Sequence, residues 1–135
     1  METARAILLI DSNGQSALDI QRFLKVSAHN FSFSHASDVQ EGLNYIKNRK
    51  PDLILLDADI VNQKDFASFK QLSAKDSIPV ILLSEMSVPD TQRSAEIAGA
   101  TDYLVKNKIN LFHLQKTIAN VLKLSEAETK LGNTF

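Results

Sequence analysis

The sequence predicts an α/β fold: an open, doubly wound parallel sheet of five strands with five helices. Short apolar runs alternate with segments of helical periodicity five times along the chain. Most of these runs are continuously apolar, which is typical of strands that helices cover on both faces. A closed α/β barrel requires about eight such units, and 135 residues are too few for them. The sheet is therefore expected to be open.

The five predicted strands follow one another along the chain, and the second is the weakest because aromatic and polar residues alternate in it. Right-handed crossovers between parallel strands distribute the helices over both faces of the sheet. The predicted strands are "AILLI" (6–10), "FSFSH" (31–35), "LILLD" (53–57), "VILLS" (80–84) and "DYLV" (102–105).

Apolar residues at helical spacing predict helices between the strands. Ser12 with Gln15, and Ser37 with Gln40, have the spacing of capping boxes and predict where the first two helices start. A short third helix is expected over residues 62–72. The apolar stripes are Ala17, Ile20 and Leu24 in the first helix, Val39, Leu43 and Ile46 in the second, and Leu111, Leu114, Ile118 and Val121 in the last.

Composition narrows the class of protein. The formal net charge of -1 gives no electrostatic reason to expect nucleic acid or an anionic membrane as partner. The chain has no cysteine, which excludes disulfides and thiol chemistry, and its three histidines lack metal-ligand spacing. The apolar run after the polar start is too short for a signal peptide or a membrane span. A cytoplasmic location is expected.

The domain is expected to span residues 1–124, with no internal linker or repeat. The remaining segment, residues 125–135, is polar. Two interpretations stay open for it: a disordered chain end, or the start of a connector helix that leads to a further domain.

Polar side chains gather at the carboxyl ends of the predicted strands, where open α/β sheets bind their ligands. Two carboxylates held close together repel each other unless a hard cation such as Mg²⁺ lies between them. A cation, an ammonium and a hydroxyl around a carboxylate form a phosphoryl acceptor site. The residues concerned are Asp11, Ser12 and Asn13, Asp57 and Asp59, Ser84 and Glu85, and Lys106.

Other ligand and enzyme classes are poorly supported. The chain has only four glycines and lacks both the Rossmann and the P-loop pattern. The nucleophile elbow of serine hydrolases is also absent. Flavin binding would place the flavin phosphate against Asp11 in "DSNGQS" (11–16), and a colourless purified protein would exclude it.

Four segments resemble the receiver domain of two-component response regulators, in the order of that family and roughly at its spacing. The resemblance covers residues 5–124 and implies a flavodoxin-like sheet with strand order 2-1-3-4-5. The segments are "ILLID" (7–11), "KPDLILLD" (50–57), "IPVILLS" (78–84) and "AGATDYLVK" (98–106).

The resemblance implies a role for each matching residue. Asp57 corresponds to the aspartate that accepts a phosphoryl group, and Asp11 to an acidic residue that helps to bind Mg²⁺. Lys106 corresponds to the lysine that pairs with the phosphoryl group. Ser84 matches the hydroxyl residue that turns toward the phosphoryl oxygens, and Tyr103 the aromatic residue whose rotamer follows that movement.

The resemblance also implies partners. A histidine kinase or a phosphotransfer protein would donate the phosphoryl group from a phosphohistidine. A surface formed by the fourth helix, fifth strand and fifth helix would then signal to an output domain or protein, or form a homodimer. Such a domain promotes its own phosphorylation and dephosphorylation and is not an enzyme that acts on a separate metabolite.

Several positions depart from the family pattern. Ser12 replaces the second acidic metal ligand and is a weaker ligand, while Asp59 stands where the family uses a backbone carbonyl for the metal. Glu85 replaces a small residue, and Asn107 replaces a proline. Asp59 and Met86 flank the approach of hydrolytic water and are expected to modulate phosphoryl lifetime. An alternative stays open: a pseudo-receiver that binds proteins without phosphorylation.

Overall fold

The structure of the protein, a computed structural model, describes residues 5–25, 31–106 and 113–123. The predicted five-stranded parallel sheet is confirmed. Its strands are β1 (Arg5–Ile10), β2 (Phe31–Ala36), β3 (Leu53–Asp57), β4 (Val80–Ser84) and β5 (Asp102–Val105). Their spatial order is β2-β1-β3-β4-β5, which is the order that the resemblance to receiver domains implies.

Helices lie on both faces of the sheet. They are α1 (Gly14–Lys25), α2 (Val39–Asn48), α3 (Phe66–Lys75), α4 (Val88–Ala98) and α5, which includes residues 113–123. The expected boundary between a domain ending at residue 124 and a tail over 125–135 lies outside the described residues and stays a prediction. In the described parts of the chain, every helix is too short or too polar to cross a bilayer.

The strands are continuously apolar because each face of the sheet has its own core. In β1, Leu8 and Ile10 pack under α2, α3 and α4, whereas Ile7 and Leu9 pack under α1 and α5. All four side chains are fully buried. Successive strand residues point to opposite faces, so a strand covered on both faces needs an apolar residue at every position. This explains why the apolar runs predicted the strands well.

The predicted start of the first helix is wrong by one residue. The side chain that caps α1 is Asn13, not Ser12: Asn13 Oδ1 accepts hydrogen bonds from the backbone N–H groups of Gln15, at 3.0 Å, and Ser16, at 3.1 Å. Two of the otherwise unpaired N–H groups of the first turn thereby acquire acceptors. Ser12 is left exposed at the carboxyl edge of the sheet.

The second helix shows the same displacement. Asp38, not Ser37, caps α2 by accepting the backbone N–H of Glu41 at 2.8 Å. The Glu41 carboxylate accepts the backbone N–H of Ser37 at 3.0 Å. The carboxylate that bonds the backbone before the helix is therefore that of Glu41, and the predicted Gln40 does not take this role.

The third helix begins later than predicted. A 3₁₀ helix (Ala58–Asn62) follows β3 directly, and α3 runs from Phe66 to Lys75 rather than over residues 62–72. Asp65, just before α3, has a left-handed backbone conformation with φ 71°. Aspartate tolerates that conformation better than most residues. The 3₁₀ helix brings Asp59 to the carboxyl edge of the sheet.

Candidate functional site

The sheet order brings the predicted site residues together. Asp57 and Ser84 are the last residues of the neighbouring strands β3 and β4, while Asp11 and Lys106 directly follow β1 and β5. Asp57 pairs in register with Leu83, one residue before Ser84. The four polar groups therefore arrive at one edge from four strands, as the sequence predicts.

Lys106 is the cation at the centre of this edge. Its ammonium donates to Asp57 Oδ1 at 2.8 Å, to Ser16 Oγ at 3.1 Å and to Asp11 Oδ2 at 3.3 Å. The Lys106 side chain is 17% exposed, and those of Asp11 and Asp57 are 2% and 10% exposed. Ion pairs this deeply placed are screened far less than surface pairs. All three ammonium hydrogens have acceptors.

The two carboxylate oxygens of Asp57 have different surroundings. Within the described residues Oδ1 accepts from Lys106, while Oδ2 accepts no hydrogen bond. No buried side-chain oxygen or nitrogen of those residues lacks a partner, so Oδ2 keeps access to solvent. Asp57 also lines the cleft at this edge. A carboxylate with one oxygen held and one oxygen open is well placed to act as a nucleophile.

The environment of Asp57 raises its pKa. Burial of the carboxyl raises the pKa above its ordinary 3.8 most strongly, and the charges of Asp11 and Asp59 add to the rise. The hydrogen bond and charge of Lys106 lower the pKa but do not cancel these effects. The ionised carboxylate is therefore held at a cost in folding free energy.

The same pairing acts on the lysine. Burial lowers the pKa of Lys106, but the hydrogen bond and charge of Asp57, together with Asp11, outweigh burial and raise it above 10.5. Lys106 is consequently cationic throughout the physiological range. The Lys106 ammonium therefore forms ion pairs with two carboxylates, those of Asp11 and Asp57.

The comparisons with known proteins identify the family. Residues 7–119 match the family model of the response regulator receiver domain. The chain belongs to this family.

Curated relatives agree with this assignment. The receiver domain is 32% identical over 112 residues to the KDP operon transcriptional regulatory protein KdpE of Escherichia coli, which covers 82% of the chain and 49% of KdpE. It is 30% identical over 115 residues to the gliding motility regulatory protein of Myxococcus xanthus, covering 83% of the chain and 14% of that protein. The chain thus spans half or less of the length of these relatives.

Solved structures share the fold. The signal receiver domain of a putative Luxo repressor protein from Vibrio parahaemolyticus superposes with a TM-score of 0.76 at 22% identity. The match covers 96% of the present chain and 98% of the Vibrio chain. A CheY-like response regulator receiver domain protein from Methanospirillum hungatei gives the same TM-score of 0.76 at 20% identity. This match covers 93% of the present chain and 99% of the Methanospirillum chain.

The cleft of this receiver domain has a volume of about 340 Å³. Asp57 and Ser84 form its inner wall, and three exposed acidic or apolar side chains form its rim: Asp59, Glu85 and Met86. Ser12 also lines the cleft and is exposed. Tyr103 lies elsewhere, half-buried against the core under α2, α3 and α4.

Ser84 is held by its own loop. Ser84 is 1% exposed, and its hydroxyl accepts a hydrogen bond from the backbone N–H of Met86 at 2.9 Å. Thr91, fully buried at the start of α4, donates its hydroxyl to the Met86 carbonyl at 3.3 Å. The loop after β4 therefore has a defined path from the cleft to α4.

The donor set of the cleft suits Mg²⁺ bound with retained water. Among the described residues no three acidic or histidine side chains converge as ligands, so protein carboxylates alone would not fill the coordination sphere. Mg²⁺ commonly keeps several waters and uses one or two carboxylates. Asp11 already accepts from the backbone N–H of Asn13 at 2.9 Å and from Lys106 at 3.3 Å, so a cation would share Asp11 with the lysine.

Sequence reasoning missed Ser16 at this site, and it placed Asn13 at this edge without assigning its hydrogen bonds. Ser16 accepts a hydrogen bond from Lys106, and Asn13 both caps α1 and donates its N–H to Asp11. The signal for Ser16 was its place next to Ala17, which begins the buried stripe of α1. A residue beside that stripe in the first turn must lie near the carboxyl edge of the sheet.

Proposed function

We propose that this receiver domain accepts a phosphoryl group on Asp57 and thereby changes a protein-binding surface. The observation that carries the proposal is the arrangement of Asp57: Oδ1 is held at 2.8 Å by the Lys106 ammonium, while Oδ2 is open to the cleft. Membership of the receiver family supports the same assignment.

The proposed reaction is a displacement at phosphorus. Oδ2 of Asp57 attacks the phosphorus atom, and an acyl phosphate bond forms. The bond from phosphorus to the donor breaks, and its electron pair leaves with the donor, which is an imidazole nitrogen in a phosphohistidine. Lys106 lies where charge on the phosphoryl oxygens must be neutralised, and such electrostatic stabilisation is most of what phosphoryl transfer requires.

Mg²⁺ would be held by Asp11, Asp57 and the backbone carbonyl of Asp59, with Ser12 as a weak ligand. The cation would supply further neutralisation of charge on the phosphoryl oxygens. Ser12 carries no charge, so binding should be weaker than with a second acidic residue. A tenfold loss of affinity corresponds to only about 1.4 kcal/mol, which a higher Mg²⁺ concentration can overcome.

The proposed output is a shift between two surface states. Ser84 would turn toward the phosphoryl oxygens, Tyr103 would follow, and the face formed by α4, β5 and α5 would change its affinity for a partner. The proposed phosphoryl source is a histidine kinase or a phosphotransfer protein. The proposed receiver of the signal is an output domain, an output protein or a second copy of the domain.

Intact mass spectrometry tests the proposal directly. The protein is incubated with Mg²⁺ and acetyl phosphate, and a gain of one phosphoryl group is expected. Asp57→Asn and a metal-free sample should show no gain. Asp65→Asn is the matched control, because it makes the same chemical change at an exposed aspartate without a side-chain capping bond. It should be phosphorylated like the unaltered protein.

A second candidate function is the phosphorylation-independent pseudo-receiver. Two observations favour it: Ser12 lacks the charge of a metal ligand, and Glu85 places a carboxylate at the rim that donors must pass. If the mass does not change even at high Mg²⁺ concentration, phosphoacceptor function is wrong. The domain would then act by binding a protein through the face of α4, β5 and α5 alone.

A further inference from the structure

Ser16 is an unassigned member of the site. Its Oγ accepts a hydrogen bond from the Lys106 ammonium at 3.1 Å, and the residue lines the same cleft as Asp57. Among the described residues it is the one uncharged partner of the ammonium, because the other two are the carboxylates of Asp57 and Asp11. Ser16 therefore adds little to the protonation of the lysine and acts on the position of the ammonium.

Ser16 is itself rigidly placed. Its backbone N–H donates to Asn13 Oδ1 at 3.1 Å in the cap of α1. The next residue, Ala17, is 2% exposed and packs into the core under α1 and α5. The hydroxyl is thus attached to a helix that is fixed to the sheet at this point.

Lys106 needs such a fixed acceptor. A lysine side chain is long and has many rotamers, and its ammonium acts as a point charge without directional preference. With Asp57 and Asp11 alone, the ammonium can move along the two carboxylates and reach Asp57 Oδ2. A third acceptor on α1, a different element, defines the position of Nζ and keeps it at Oδ1.

We infer that Ser16 is a positioning residue for phosphoryl transfer: it holds the Lys106 ammonium at Oδ1 of Asp57 and so leaves Oδ2 open for attack. The inference rests on the proposed function for its catalytic consequence. Its geometric part is independent of that function, and the two parts can be measured separately.

The test compares Ser16→Ala, Ser16→Thr and the matched surface control Ser68→Ala, which lies exposed on α3. Ser16→Ala keeps the backbone N–H that Asn13 accepts, and alanine is the best helix former, so this variant should fold. The first readout is the NMR signal of the Lys106 ammonium in unphosphorylated protein, which is visible when hydrogen bonds slow its exchange with water. The second is the rate of phosphorylation by acetyl phosphate with Mg²⁺.

We expect Ser16→Ala to lose the ammonium signal and to be phosphorylated about three- to tenfold more slowly, the range that one hydrogen bond provides. Ser16→Thr should restore both readouts, and Ser68→Ala should change neither. A purely structural role for Ser16 would not move the ammonium signal.

Two results would overturn the inference. An unchanged ammonium signal in Ser16→Ala would show that Ser16 does not hold the lysine, whether or not the protein is phosphorylated. A lost signal with an unchanged rate would show that the position of the lysine does not matter for transfer. If the unaltered protein gains no phosphoryl group at all, the proposed function fails, and the ammonium signal alone decides whether Ser16 positions Lys106.

Discussion

Two sets of acidic side chains at the same edge of the sheet differ sharply in their surroundings. The side chains of Asp11 and Asp57 are 2% and 10% exposed and share one ammonium. Asp59 and Glu85 line the same cleft but are exposed. Burial and the contacts within this buried set raise the pKa of Asp57 and that of Lys106 above their ordinary values.

The difference shows that burial, rather than the number of charges, decides how strongly a carboxylate interacts with its neighbours. Water screens an exposed carboxylate at the rim, and its interactions are weak and depend on salt. A buried carboxylate depends on its partner, because removing the partner leaves a charge without solvation. Changes in the buried set should therefore alter stability, whereas changes at the rim should alter rates.

The largest effect is expected from Lys106→Met. This change leaves Asp11 and Asp57 facing each other without a cation, and should lower the free energy of unfolding by about 2–3 kcal/mol, somewhat less than for a fully buried pair. Chemical denaturation at neutral pH measures it. Lys64→Met, at an exposed position, is the control. A loss no larger than that of the control would contradict the view that Lys106 stabilises the buried pair.

Asp57→Asn should have a smaller effect of opposite sign. Because the native pKa of Asp57 is raised above 3.8, the native state binds this proton more tightly than the unfolded state. Stability therefore falls as pH rises from 3.8 through the native pKa. The amide removes that loss, and we expect the variant to gain on the order of 1 kcal/mol at neutral pH.

The check is the difference in unfolding free energy between Asp57→Asn and the unaltered protein across pH. The difference should grow with pH over this window and then level off. A difference that does not change with pH would mean that ionisation of Asp57 does not lower the free energy of unfolding.

At the rim, Glu85→Gln should leave the unfolding free energy within about 0.5 kcal/mol. Its expected effect is kinetic: phosphorylation by the anionic donor acetyl phosphate should become about two- to fivefold faster at low salt, because a repulsive charge is removed. High salt should erase the gain. A gain that persists at high salt would point to steric obstruction by Glu85 instead of charge.

A rate effect of similar size is expected from Asp59→Asn. We predict that the phosphorylated domain loses its phosphoryl group about two- to fivefold more slowly, because the carboxylate that attracts the hydrolytic water is replaced by an amide. Following the intact mass over time after removal of the donor measures this. An unchanged rate of dephosphorylation would exclude a role for Asp59 in phosphoryl lifetime.

The sheet could be predicted from sequence because burial on both faces leaves a continuous apolar signature, as in "LILLD" and "VILLS". The helix starts were less predictable. Ser12 and Asn13 are both good capping residues, and the choice between them depends on the path of the backbone after β1. The third helix was misplaced because nothing in "ADIVNQKD" marks the change from a 3₁₀ helix to α3.

The site was predictable to the extent that it follows from topology. Asp11, Asp57, Ser84 and Lys106 end or follow strands, so the sheet alone brings them together. Ser16 belongs to a helix, and its contact with Lys106 depends on the rotation of α1 about its axis. That rotation is fixed by packing against the sheet, and it cannot be predicted from the positions at which the strands end.

Because the Met86 amide donates a hydrogen bond to Ser84 Oγ, the proposed movement of Ser84 can be measured at this backbone amide. A Ser84 hydroxyl that turns toward a phosphoryl oxygen removes the side-chain acceptor that this amide has among the described residues. The Met86 N–H would then exchange with deuterium faster after phosphorylation, although Met86 itself gains no charge. A single backbone position could thus report the fraction of switched molecules without any label attached to the protein.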